Sequence, residues 1–291
     1  MKAYATEINC EVDRLIFSGH DKARRHQKRH AKTLGKDFCA ISTELQIPIT
    51  ELDETTIKSL AYKSIAENEP KLLREIIFSG KLDINDVIDD HRGWNCLMLA
   101  CYAGCRDLVH LLLENQADVN IQDTCGNTPL TIAAREEFRE IVVELIRQGA
   151  DTEQRDKLGY TAVLVATKFG NADALEALLE KGADVDATLP NGDTALHIAA
   201  RSGKTAVACL LWRYGCKRDA KNDQGQTALD VAQEQHQHGP ERIILASLGR
   251  FNELGESKDS IYHKEITGSY DQLLRIWSKG IIDSRLTAHN R

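Results

Sequence analysis

The sequence predicts an all-α solenoid, in which short antiparallel helix pairs stack side by side, joined by turn fingers, with short helical flanks at both ends. Three observations carry this. Gly93, Gly126, Gly159, Gly192 and Gly225 lie 33 residues apart without a slip. Ala100, Ala133, Ala166, Ala199 and Ala232 follow them at a fixed offset. A second glycine series, Gly149, Gly182 and Gly215, keeps the same interval. A constant period of this length marks an array whose units cannot bury their apolar faces alone and must stack.

Each recurring position has a physical reason. The first glycine suits a tight turn that needs positive φ. Thr128, Thr161, Thr194 and Thr227 stand two residues further on, where a hydroxyl caps the start of a helix. Leu or Val, then Ala, then Leu-Leu fall at helical spacing and line the inner faces of two short helices. The small Ala lets neighbouring helices approach closely. The second glycine ends the second helix through a left-handed cap.

The phrases Asn127-Thr128-Pro129-Leu130, Asp193-Thr194-Ala195-Leu196-His197-Ile198-Ala199-Ala200 and Gly182-Ala183-Asp184-Val185-Asp186 resemble the ankyrin repeat, a β-turn plus two antiparallel helices. The resemblance covers residues 56–248 and implies a curved stack with protruding turn tips that binds partners on its concave side. It gives an N-terminal cap over 56–89, repeats near 90–122, 123–155, 156–188 and 189–221, and a C-terminal cap over 222–248. That makes six helix pairs, four central and two capping.

Departures place the ends and the weak points. Asn95-Cys96-Leu97 stands for Thr-Pro-Leu, and Gln116 replaces the helix-ending glycine. Glu137 replaces the glycine between two paired helices, and a distorted turn is expected there. Helices are expected over 57–67 and 70–79, then a longer finger over 81–91. The last unit has its second helix displaced to 242–248, behind Gly239-Pro240. Within the second helices, Ala174 reads as outward-facing.

The flanks are short. Ile8, Val12, Leu15 and Ile16 predict an amphipathic helix ended by Gly19. Tyr270, Leu273, Leu274 and Trp277 predict another over 269–279, and 50–53 reads as a helix-start signal opening the array. Between them, segment 22–36 of the 1–55 flank is basic: Lys22, Arg24, Arg25, Lys28, Arg29 and Lys32. It reads as a solvated helix face, a nuclear address or a phosphate-contacting patch. Residues 249–291 form the other flank.

Composition narrows the function classes. Apolar residues make up 42% and charged residues 28%, as in a folded protein. No apolar run reaches a membrane span, and the start lacks a hydrophobic signal segment. An intracellular protein is expected, cytoplasmic with a nuclear alternative, so the eight cysteines read as reduced thiols. Cys96, Cys101, Cys105, Cys209 and Cys216 read as core fillers. His26 and His30, even with Cys10 and Cys39, do not make a convincing metal site among so many cations, and no metal or cofactor is expected. The sequence carries no Gly-x-Ser-x-Gly, phosphate-binding glycine loop or zinc-protease motif, so no catalysis is expected.

What remains is binding. The net charge is −7, with 21 basic and 29 acidic side chains over 56–248. Against this acidic body two registers repeat. One, after the turn glycine, holds Trp94, Asn127, Tyr160, Asp193 and Gln226; the other, on the first helices, holds Tyr102, Arg135, Lys168 and Arg201, with Phe169 beside it. Aromatic and Arg side chains dominate interface energetics. The expectation is a protein-interaction module, an adaptor or scaffold, contacting its partner through Trp94, Tyr102, Arg135, Tyr160, Lys168, Phe169 and Arg201. An acidic or phosphorylated segment is the expected partner, with Glu136 and Asp193 as the intramolecular alternatives for the cations. Other readings are a nuclear or nucleic-acid-associated regulator working through the basic segment, and a bacterial effector acting in a host cell. The oligomeric state is open.

Overall fold

The computed structural model describes residues 49–235. The flank helices, the basic segment 22–36 and the helix expected over 242–248 lie outside them. After a 3-10 turn at Ile49–Glu51 come α1 (Glu54–Ala66), α2 (Pro70–Phe78), β1 (Val87–Asp89), β2 (Trp94–Asn95), α3 (Cys96–Ala103) and α4 (Arg106–Glu114). Then follow α5 (Pro129–Arg135), α6 (Arg139–Arg147), α7 (Ala162–Phe169), α8 (Ala172–Glu180), α9 (Ala195–Arg201), α10 (Thr205–Arg213) and α11 (Ala228–Glu234). Five helix pairs are thus described whole, with the first helix of a sixth.

The first helices α1, α3, α5, α7, α9 and α11 pack in that order as one layer, and α2, α4, α6, α8 and α10 as a second. Ala100, Ala133, Ala166, Ala199 and Ala232 are fully buried between them, as their small side chains require. Each first helix opens on the expected cap. Thr128, Thr161, Thr194 and Thr227 accept from backbone N–H three residues on, and Asn95 does the same for α3. Asp53 caps α1 by accepting from Thr56, which starts that helix three residues before the expected 57.

The ladder glycines take left-handed geometry, with φ from 70° at Gly93 to 85° at Gly159. Three non-glycine residues take it as well, the first being Asn68 at φ 55° between α1 and α2. Gln116 closes α4 at φ 64°, and Glu137 holds φ 68° between α5 and α6, beside 71° for Gly104 and 84° for Gly170 in the same position. The turn at Glu137 is therefore regular, not distorted. The stack imposes the conformation and the side chain bears the strain.

Ala174 is also corrected. It is fully buried, because α8 is held between α6 and α10 and shows solvent only a narrow stripe. Between units the fingers are stitched by backbone donors: Asp151 N–H to Asn120 Oδ1 at 2.8 Å, Asp184 N–H to Glu153 Oε1 at 3.0 Å and Lys217 N–H to Asp186 Oδ1 at 2.8 Å. The five cysteines read as core fillers are free and wholly or partly buried. Burial pushes the Cys96 thiol up to about 12 and the Cys216 thiol up to about 11.

Candidate functional site on the inner face of the stack

The two registers meet each other. In four units the residue after the turn glycine touches the first-helix residue eight positions on. The Trp94 and Tyr102 rings lie 5.2 Å apart. The Lys168 ammonium sits 4.6 Å over the Tyr160 ring. Arg201 donates through Nη1 to Asp193 Oδ2 at 2.6 Å. Gln226 donates through Nε2 to Glu234 Oε1 at 2.6 Å. One short helix turns back towards the finger that precedes it, so the same geometry recurs with different chemistry in each unit.

At the N-terminal end this geometry overturns the expected apolar anchors. Trp94 is 2% exposed and Tyr102 9%. The Trp94 indole donates to Asp123 Oδ2 at 2.9 Å, and the Arg92 guanidinium lies 4.6 Å over its ring. These rings are core to the first finger, with little surface left for a partner. Tyr160 and Phe169 are half-buried and present part of their surface.

The cations have internal reasons as well. Arg135, Lys168 and Arg201 each stand in the last turn of a first helix, where positive charge opposes the carbonyl end of the helix dipole. Arg135 pairs with Glu136 at 3.1 Å with only 13% of its side chain exposed. Arg201 is 43% exposed, while its partner Asp193 is fully buried. Both intramolecular partners named as alternatives are therefore used.

Asp193 is a fully buried carboxylate held by three side-chain donors. Burial alone would raise its pKa. Hydrogen bonds from Arg201, from Asn222 Nδ2 at 2.9 Å and from Asn191 Nδ2 at 3.0 Å, with the nearby guanidinium charge, outweigh this and hold it below the usual carboxylate range. Beside it, His197 Nδ1 accepts from the Thr194 N–H at 3.2 Å. The proton is thereby assigned to Nε2, which donates to the Gln226 carbonyl at 3.0 Å in the next unit. His197 thus ties adjacent fingers, as its position in the repeat implies.

Sequence reasoning missed one member of the face. Glu234 continues the column 102, 135, 168, 201 by a further 33 residues and is exposed. The interval was the available signal. Among the described residues no group of three His, Cys, Asp or Glu is placed to hold a metal, and no helix is long and apolar enough to cross a membrane. His26, His30 and the basic segment lie outside the description.

The face is a row of short helices and fingers built from repeating units. The model of ankyrin repeats matches residues 97–189 and 163–244, just over half of the chain. The chain belongs to the ankyrin repeat family. It is also 32% identical over 110 residues to a glycerophosphocholine phosphodiesterase, GDE1, of Candida albicans. That stretch is 38% of this chain and 9% of the relative. The chain spans less than a tenth of the relative's length, and the phosphodiesterase activity is a property of that protein.

Proposed function

We propose that the protein is a non-catalytic adaptor or scaffold of the cytoplasm that holds an acidic or phosphorylated segment of another protein on the concave face of the array. The observation that carries this is the open C-terminal half of the inner column. Lys168 stands half-buried over Tyr160, and Arg201 stands exposed on a buried acid. Tyr160 and Phe169 add apolar surface beside the cations. Held side chains lose little entropy when a partner arrives.

The test uses the full chain as bait, with Lys168→Glu on the inner face and Lys181→Glu just after the second helix α8. A captured partner should be lost at least about tenfold by the first change and retained by the second, with both proteins melting as the parent does. Equal losses would place the binding surface elsewhere.

A further inference from the structure

The concave reading leaves open what kind of segment fits, and the column itself carries that further. Along positions 102, 135, 168, 201 and 234 the exposure opens from one end to the other. Tyr102 is 9% exposed, the Arg135 side chain 13% and the Arg201 side chain 43%, and Glu234 is exposed. The accessible row is therefore Lys168, Arg201, Glu234, in the order plus, plus, minus. Each head group is held by the finger residue eight positions before it: Tyr160, Asp193 and Gln226. Asp193 engages one nitrogen of Arg201, and a guanidinium carries five donors. Arg201 thus has donors for a second acid while the first fixes its orientation.

The three groups lie on successive helices α7, α9 and α11, which pack directly on one another. Packed helices stand about 8–10 Å apart. A polyproline-II strand repeats every three residues at 3.1 Å each, so its like-facing side chains recur every ~9.3 Å. A β-strand presents one face at about 6.6 Å intervals and drifts out of step within two units. The floor offered by α7, α9 and α11, of 8, 7 and 7 residues, is about 10–12 Å long at 1.5 Å per residue. That is no wider than an α-helix with its side chains, so a helical partner would fill the whole floor.

We propose, resting on the concave reading, that the partner segment is a polyproline-II strand running along the stack. It carries two acids three residues apart, opposite Lys168 and Arg201, and a basic residue three further on, opposite Glu234. The sign order fixes which charged end of the segment lies at Lys168, and the held head groups fix its register.

The probe is a fluorescein-labelled peptide, Glu-Pro-Pro-Glu-Pro-Pro-Lys with flanking prolines, together with its reversed sequence, since charge order alone does not set chain polarity. Binding to the full chain is followed by anisotropy up to about 1 mM peptide. One of the two should bind at least about tenfold more tightly than a peptide of the same composition with adjacent glutamates. Lys168→Glu should weaken it about tenfold. Replacing the glutamate furthest from the peptide lysine by lysine should restore it, and Glu234→Lys should require an acid at the other end. Thermal melts of each variant separate a failure to bind from a failure to fold. Equal binding of the shuffled peptide, still abolished by Lys168→Glu, would overturn the spacing and leave the concave reading standing. Binding indifferent to Lys168→Glu would overturn both. Tighter binding of a helical peptide with acids seven apart, or binding by none of the peptides, would overturn the polyproline-II assignment.

Discussion

Glu137 shows how one residue is subordinated to the array. A non-glycine residue in left-handed geometry costs about 1 kcal/mol or more, yet Glu137 sits at φ 68°. Its neighbours in the column show why the site tolerates a side chain. At Gly104 an added Cβ would lie 2.4 Å from Phe138 Cζ, so the next unit leaves no room there. Over Glu137 the corresponding residue is Asn171, which instead donates to the Ala134 carbonyl at 2.9 Å. Glu137→Gly should therefore raise stability by about 0.5–1 kcal/mol, the strain relief less the extra unfolded-state entropy. Gly104→Ala should lower it by about 2 kcal/mol or more, because it adds both strain and a collision with a ring. Urea unfolding of the two variants measures this. A loss on Glu137→Gly would mean that the carboxylate contributes more than the backbone costs. The sequence announces the missing glycine. Whether the turn distorts or holds depends on what Asn171 does 34 residues later, and a local pattern cannot carry that.

At the scale of the helix, periodicity locates the elements and capping fixes their starts, but neither gives the full width of the buried face. The ladder identifies Ala166 as a helix contact, and it is fully buried. Ala174 reads as outward-facing in the sequence, where the repeat ladder marks only the first-helix alanines as contacts. It is fully buried too, since a second helix in a two-layer stack is flanked on both sides. Ala166→Leu and Ala174→Leu should then both overpack, each costing about 1–3 kcal/mol. Parallel melts of the two variants decide it, and a mild effect at Ala174 alone would show that the second layer yields where the first does not. The same limit governs the site. Trp94 and Tyr102 are legible as large side chains at repeat positions. Their burial follows from the fold-back of each first helix onto its own finger, and an i, i+8 contact has no signature in helical or strand periodicity. That fold-back also decides where Arg201 goes, and so which acid it meets.

For the whole molecule, an array is held by the sum of its unit-to-unit interactions, and the α9 unit concentrates polar ones. Asp193 receives Arg201 from its own unit and Asn222 from the next, while His197 reaches the Gln226 carbonyl of that next unit. The Asp193 carboxyl is held below its usual range, with burial opposing and the hydrogen bonds prevailing. A group depressed in this way stabilises the fold fully above its unfolded pKa, about 3.9. That contribution fades as pH falls through the lower folded value. Stability from this link should therefore be flat between about pH 5 and 8 and decline below about pH 4. Because Arg201 is 43% exposed, solvent screens the pair, and the link contributes about 1–2 kcal/mol. Asp193→Asn isolates it from the other carboxylates. The variant should be less stable than the parent by that amount at pH 7, and the gap should begin to narrow below about pH 4 and go on closing as pH falls through the lowered folded value. The hydrogen bond from Asn222 to Asp193 joins one unit to the next. Weakening it should therefore raise amide exchange first over α9 to α11 and leave α3 to α5 protected. A gap that persists unchanged to pH 3 would assign the stabilisation to packing around the side chain. Uniform exchange along the stack would show that the units unfold together and that this link is not their weakest joint in acid.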